Sequence, residues 1–237
     1  MWRSTVIVLM FAGAALAAPG PTTSPSTQPD IAQWFAGLAS PDADLREQSR
    51  TNLLGLSRGD LPRLHDLVEQ NRPLAPSQMA ALHDIVVHLY LSGEPYPSDP
   101  KNGVLGLRWL YTIDVPRLGV PVEDRLPGFG GFQMLRDGDL ILGIFVEPDA
   151  PLQQLPNLET PTITVLRSGI ENVGSRRDIE LEVLRQGQRI RVPIRLRPKP
   201  NEPDTDQGKE AFFDQWQKKG EDFWQAQFLP LLRPGVS

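Results

Sequence analysis

Apolar residues recur at helical spacing between Asp30 and Leu91, and the pattern changes to short strands from Gly103 onward. Ile31, Trp34, Phe35 and Leu38 fall three or four apart, and Ser40-Pro41-Asp42 ends the helix they predict. Leu45, Gln48, Leu53 and Leu56 predict a second helix, closed by Ser57-Arg58-Gly59. Leu61, Leu64, Leu67 and Val68 predict a third, with Pro62 tolerated in its first turn. Ser77 is expected to cap a fourth, whose buried side takes Met79, Leu82, Ile85, Val86 and Leu89. Pro95, Pro97 and Pro100 mark residues 93–101 as a linker.

The strand pattern is clearest near its end. A two-residue loop at Gln186-Gly187 would place Val183 opposite Ile190, Leu181 opposite Val192 and Ile179 opposite Ile194. Glu182 then meets Arg191 and Leu184 meets Arg189 on the other face, so the β-branched apolar side chains share one surface. Pro193 lacks a donor, which fits an edge strand or an outward-facing position. Arg189, Arg191, Arg195 and Arg197 form a stripe. A phosphate site is one reading, and a solvated face balanced by Glu180 and Glu182 is the other and the favoured one. After an acidic, proline-containing loop, a helix is expected from about Gln207 to Phe228. It carries Phe212, Phe213, Trp216, Phe223, Trp224 and Phe228, a surface that must bury against something. Docking on the chain's own domains is the leading expectation; a partner protein and a membrane surface are the alternatives.

Composition narrows the setting. Arg3, the apolar run from Thr5 to Ala18 and Ala15-Leu16-Ala17 read as a cleavable export signal, residues 1–17, followed by a flexible tether at 18–29. The run is shorter than the roughly 18–20 residues a spanning helix needs, so no integral membrane span is expected after cleavage. The chain has 237 residues and no cysteine, which excludes disulfides, lipid attachment and thiolate metal sites. Export without disulfides suggests a bacterial envelope, periplasmic or extracellular. A formal net charge of −5 argues against a nucleic-acid partner.

Four pieces occur in an order that carries a family resemblance. They are Gly103-Val104-Leu105-Gly106-Leu107, Leu135-Arg136-Asp137-Gly138-Asp139-Leu140-Ile141, an amphipathic stretch ending Ile170-Glu171-Asn172-Val173-Gly174, and Ile179 to Gln188. This region, residues 102–198, resembles the PDZ domains of bacterial envelope proteases. The sequence departs from the family at Pro127-Gly128-Phe129-Gly130-Gly131-Phe132 and in a long insertion at 144–161. Upstream, Ser40 to Glu47 with Asn52-Leu53-Leu54 and Leu61-Pro62-Arg63-Leu64 is similar to a HEAT-like repeat. It is too short for a solenoid, so residues 30–92 are expected as a compact helical cap. The fold class expected is α+β: a HEAT-like helical bundle, a PDZ-like small β-barrel or sandwich, and a C-terminal helix within 199–237.

The resemblance implies a peptide site. Leu105, Gly106 and Leu107 would form the carboxylate loop, and Ile163, Arg167 and Ile170 would face the groove from a helix starting near Thr162. Glycine at 106 would leave backbone N–H groups open to an anion. A side chain there is expected to block the site and spare the fold. The expected function is a non-enzymatic adaptor or scaffold that binds peptide segments or C-termini of partner proteins in the envelope. The alternative is a regulatory or substrate-delivery subunit of a separate envelope protease. No cofactor or metal is expected. His65, His83 and His88 all lie in the helical region, with no nucleophile and base placed for a triad.

Overall fold

Several helix starts in this chain are set by side chains that accept orphan N–H groups. The computed structural model describes residues 30–108, 119–147, 150–151, 162–201 and 205–232. The helices α1 (Ile31–Gly37), α2 (Ala43–Leu54), α3 (Leu61–Gln70) and α4 (Pro76–Ser92) match the four periodic segments. Asp42 caps α2, its carboxylate accepting from the Asp44 N–H at 2.9 Å. α4 starts one residue ahead of Ser77, because Pro76 takes the first helical position and Gln78 accepts from the Ala75 N–H. Gln78 also donates to the Phe35 carbonyl at 3.1 Å, tying α1 to α4. Met79, expected on the buried side of α4, is exposed, as is Leu45 on α2.

The strands follow: β1 (Ser98–Val104), β2 (Leu107–Arg108), β3 (Val120–Pro121), β4 (Asp124–Arg125), β5 (Leu140–Glu147), β6 (Ala150–Pro151), β7 (Asp178–Arg185), β8 (Gln188–Arg195) and β9 (Arg197–Pro200). The short α5 (Gly130–Met134) precedes β5, and α6 (Ile163–Val173) precedes β7. The main sheet runs β3-β5-β7-β8, with β6 beside β5; β1 pairs with β9 and β2 with β4. The chain is thus of the α+β class. Its last residues described form α7 (Asp206–Gln227) and α8 (Leu229–Leu232). Among the described residues no helix is long and apolar enough to cross a membrane. The expected signal and tether, residues 1–29, lie outside the described residues.

The β7–β8 hairpin has the register the alternation predicts, with Val183 opposite Ile190, Leu181 opposite Val192 and Ile179 opposite Ile194. Gln186 and Gly187 both take positive φ, 51° and 81°, as a tight turn matched to strand twist requires. The ion pairs run diagonally, Arg191 to Glu180 and Arg189 to Glu182, although Glu182 stands directly opposite Arg191. β8 ends the sheet path, which accommodates Pro193. The 93–101 segment is more ordered than a linker. Its last four residues open β1, and Tyr96 donates to the Pro198 carbonyl at 2.8 Å.

Two cores result. One joins α1–α4 to Leu126, Phe129 and Phe132 and to Trp216, Trp224 and Phe228 of the tail, so the aromatic tail buries on its own chain. The other lies between the sheet and α6, around Leu166, Ile170, Ile179, Leu181 and Val183. From Ile31 onward the two belong to a single compact unit. Arg197 lies where they meet. Its guanidinium donates to the carbonyls of Gly128 at 2.7 Å, Leu91 at 3.1 Å and Glu94 at 3.3 Å. It also sits 4.9 Å from the Tyr96 ring, 5.2 Å from Phe129 and 5.8 Å from Trp216. Arg197→Met would keep the volume and strand those carbonyls. It is expected to destabilise the fold by at least about 2 kcal/mol in chemical denaturation.

A second link between α4 and α7 is titratable. His83 lies 3.4 Å from Asp84 through Nδ1 and 2.8 Å from Glu221 through Nε2. The hydrogen bond to Asp84 and that to Glu221 hold its pKa up at about 9, against the opposing effect of partial burial. Charged His83 therefore contributes its full stabilisation below about pH 6.5, its ordinary pKa, and loses it as pH rises through about 9. The side chain is 43% exposed, so solvent keeps the contribution small. Thermal unfolding across this range should show wild type more stable than His83→Gln near neutrality, with the gap closing above about pH 9.

Candidate functional site

The loop between β1 and β2 is held from one side. The Leu105 carbonyl accepts from the Gly131 N–H at 2.9 Å, and the Gly106 carbonyl accepts from the Leu126 N–H at 2.8 Å. Gly106 has φ of 75°, and a Cβ there would sit 2.2 Å from the Phe129 Cβ. Glycine is therefore required for the turn itself. The expectation that a side chain at 106 would spare the fold is corrected, because Phe129 fills the space that a side chain would need.

Opposite the loop stands α6. Thr162 caps it, its hydroxyl accepting from the Val165 N–H at 3.3 Å, so the helix begins where the sequence reading put it despite its β-branched start. Leu166, Ile170 and Val173 bury against the sheet. The turn before β5 is fastened by Asp139, which is 1% exposed. Its carboxylate accepts from the Arg136 N–H at 2.8 Å and from Arg185 at 2.7 and 2.9 Å. These bonds give the Gly138-Asp139 pair a structural role.

Loop and helix enclose a cavity of about 230 Å³. Leu105, Gly106, Leu107, Arg167 and Ile170 line it, five of the six expected site residues. Ile163 does not. It is the first residue of α6 and packs half-buried against the β core. Residues 109–118, where a groove strand would continue from β2, lie outside the described residues.

Three further elements, and one more residue of α6, complete the wall. Phe129 and Leu126 come from the loop before α5, Lys199 and Pro200 from β9, Glu171 from α6, and Lys209 and Phe213 from α7. Lys199 and Glu171 pair at 2.9 Å. Among the described residues, basic side chains outnumber acidic ones in the lining, three to one. A cavity with an apolar floor and a basic rim can take a small apolar side chain beside a carboxylate. The sequence reading missed Lys209 and Phe213. Their four-residue spacing on one face of the expected tail helix was the available signal.

The histidines occupy separate places. His65 meets the edge of Phe228, His83 bridges to Glu221, and His88 is buried with Nδ1 accepting from the Gly128 N–H at 3.0 Å. Of the arginine stripe, Arg189, Arg191 and Arg195 pair with Glu182, Glu180 and Asp178, while Arg197 turns inward. No protein-family model matches the chain. No curated protein matches it either.

Proposed function

We propose that this chain is an exported, non-enzymatic peptide-binding protein whose β1–β2 cavity takes the C-terminus of a partner protein, and that it serves as an adaptor or scaffold in the cell envelope. The observation that carries this reading is the convergence on one cavity of the Leu105-Gly106-Leu107 loop with Arg167 and Ile170 of α6. These residues lie some sixty positions apart in sequence, and the resemblance of residues 102–198 to PDZ domains pairs the same two segments. Ile170 and Leu105 supply the apolar floor for a terminal side chain. Arg167 and Lys209 supply positive charge for a carboxylate. The export pattern at 1–17 and the absence of cysteine support the envelope setting.

Calorimetry with a C-terminal peptide and its amidated twin tests this. The acid form should bind and the amide should bind at least tenfold more weakly, since charge-assisted hydrogen bonds are worth about 1.5–3 kcal/mol each. Arg167→Glu, an exposed change on α6, should weaken the acid form by a similar factor while the melting temperature holds. Equal binding of acid and amide would overturn carboxylate capture.

Gly106 is unsuited to that test. Gly106→Ala places a Cβ against Phe129 at a positive φ. It is expected to destabilise the fold by at least about 2 kcal/mol, read from denaturant unfolding.

A further inference from the structure

A second cavity, of about 510 Å³, opens between the helical layer and the strands β8 and β9. That volume is in the range of small-molecule sites, about 300–1,000 Å³. Three arginines line it, Arg176, Arg195 and Arg197, and no aspartate or glutamate among the described residues does. Leu56, Phe129 and Leu196 give it apolar wall.

The charge on this lining is poorly compensated. Arg197 is satisfied by carbonyls and aromatic faces and forms no ion pair with a carboxylate among the described residues. Burial pushes its pKa down, the expected consequence of a cation with no counter-ion. Arg176 takes a positive φ of 60° in the turn before β7, where its N–H donates to the Leu196 carbonyl. Its side chain is exposed and has no hydrogen bond or ion pair among the described residues. Among the described residues Arg195 is paired with Asp178 alone, at 3.9 Å, and both side chains are more than 70% exposed.

His88 is the independent observation. It lines the same cavity and is 3% exposed. Its Nδ1 accepts the Gly128 N–H, so the ring proton of the neutral imidazole is on Nε2. Burial, reinforced by Arg197 and Arg50, pushes its pKa down to about 3, so the ring is neutral at physiological pH. The Nε2–H has no acceptor among the described residues. A buried donor in this condition is rare in native interiors and takes a water or a ligand atom as its partner.

We propose that this cavity binds a small phosphate monoester, its oxyanion held by Arg176, Arg195 and Arg197 and its organic portion lying against the apolar wall near His88. Guanidinium forks suit a dianionic phosphate through paired, charge-assisted bonds. An oxygen of the same ligand takes the His88 Nε2–H. The site is separate from the peptide cavity, and this inference does not depend on that reading.

Phenyl phosphate serves as the probe, with inorganic phosphate and benzyl alcohol as companions, titrated into the full chain by calorimetry. Phenyl phosphate should bind more tightly than inorganic phosphate, and benzyl alcohol should not bind. The double variant Arg176→Gln, Arg195→Gln changes two exposed side chains. It should weaken phenyl phosphate by at least about tenfold with an unchanged melting temperature. The His88 Nε2–H resonance of the wild type should shift on saturation. Equal affinity in the double variant would overturn the proposal. So would benzyl alcohol binding as well as phenyl phosphate, inorganic phosphate binding equally tightly, absence of phenyl phosphate binding at millimolar concentration, or an unmoved His88 signal.

Discussion

The position of Arg197 governs how the two layers of this protein meet. A cation cannot be set into an interface unless its donors are matched, and here three main-chain carbonyls and three aromatic rings match them. Each carbonyl belongs to a different segment: the end of α4, the turn after it and the loop before α5. One side chain on β9 thus fixes where the helices stop, where the Gly128 turn sits and how Tyr96 and Trp216 face each other. Both cavities inherit this geometry. β9 brings Lys199 and Pro200 to one and Arg197 to the other, and Phe129 is part of the wall of each.

Much of this architecture was legible because local chemistry agreed with the final packing. The β7–β8 hairpin is the clearest case. Its register follows from a side-chain period of two, and its turn follows from a Gly placed where positive φ is needed. The tail helix was also legible, since six aromatic residues must find cover. What the sequence hid was longer in range. Prolines at 95, 97 and 100 read as slack chain, yet Tyr96 between them is an anchor of the aromatic cluster. Proline removes donors, but it does not prevent an adjacent ring from packing. Met79 was misplaced because periodicity assigns a face and cannot say how wide the neighbouring surface is.

The site was legible in part for the same reason. The glycine loop and the helix face could be paired through a resemblance, and five of six residues do share a cavity. Gly106 was read for its function, whereas its neighbour Phe129 gives it a structural requirement that no local pattern encodes. The spacing of Lys209 and Phe213 puts them on one helix face, but the docking of α7 across α4 is what brings that face to the site. Arg197 looked like one member of an exposed stripe, since alternation along β8 continues through it. The chain passes from β8 to β9 at Leu196, and that change of partner turns the side chain inward.

The sharing of the helical core between α1–α4 and α7 bears on the order in which the molecule can assemble. His83 and Glu221 are 138 residues apart, and Trp216, Trp224 and Phe228 complete a core whose other half is made of the earliest helices. As the chain emerges from the ribosome, those helices expose Leu and Val side chains with no cover until the aromatic helix follows. Closing so long a loop is entropically slow, so helix formation alone cannot finish this layer. The strand region is better placed, because its central hairpin pairs neighbours in sequence. The expectation is that the first and last segments of the fold lock together late, after the central hairpin has paired.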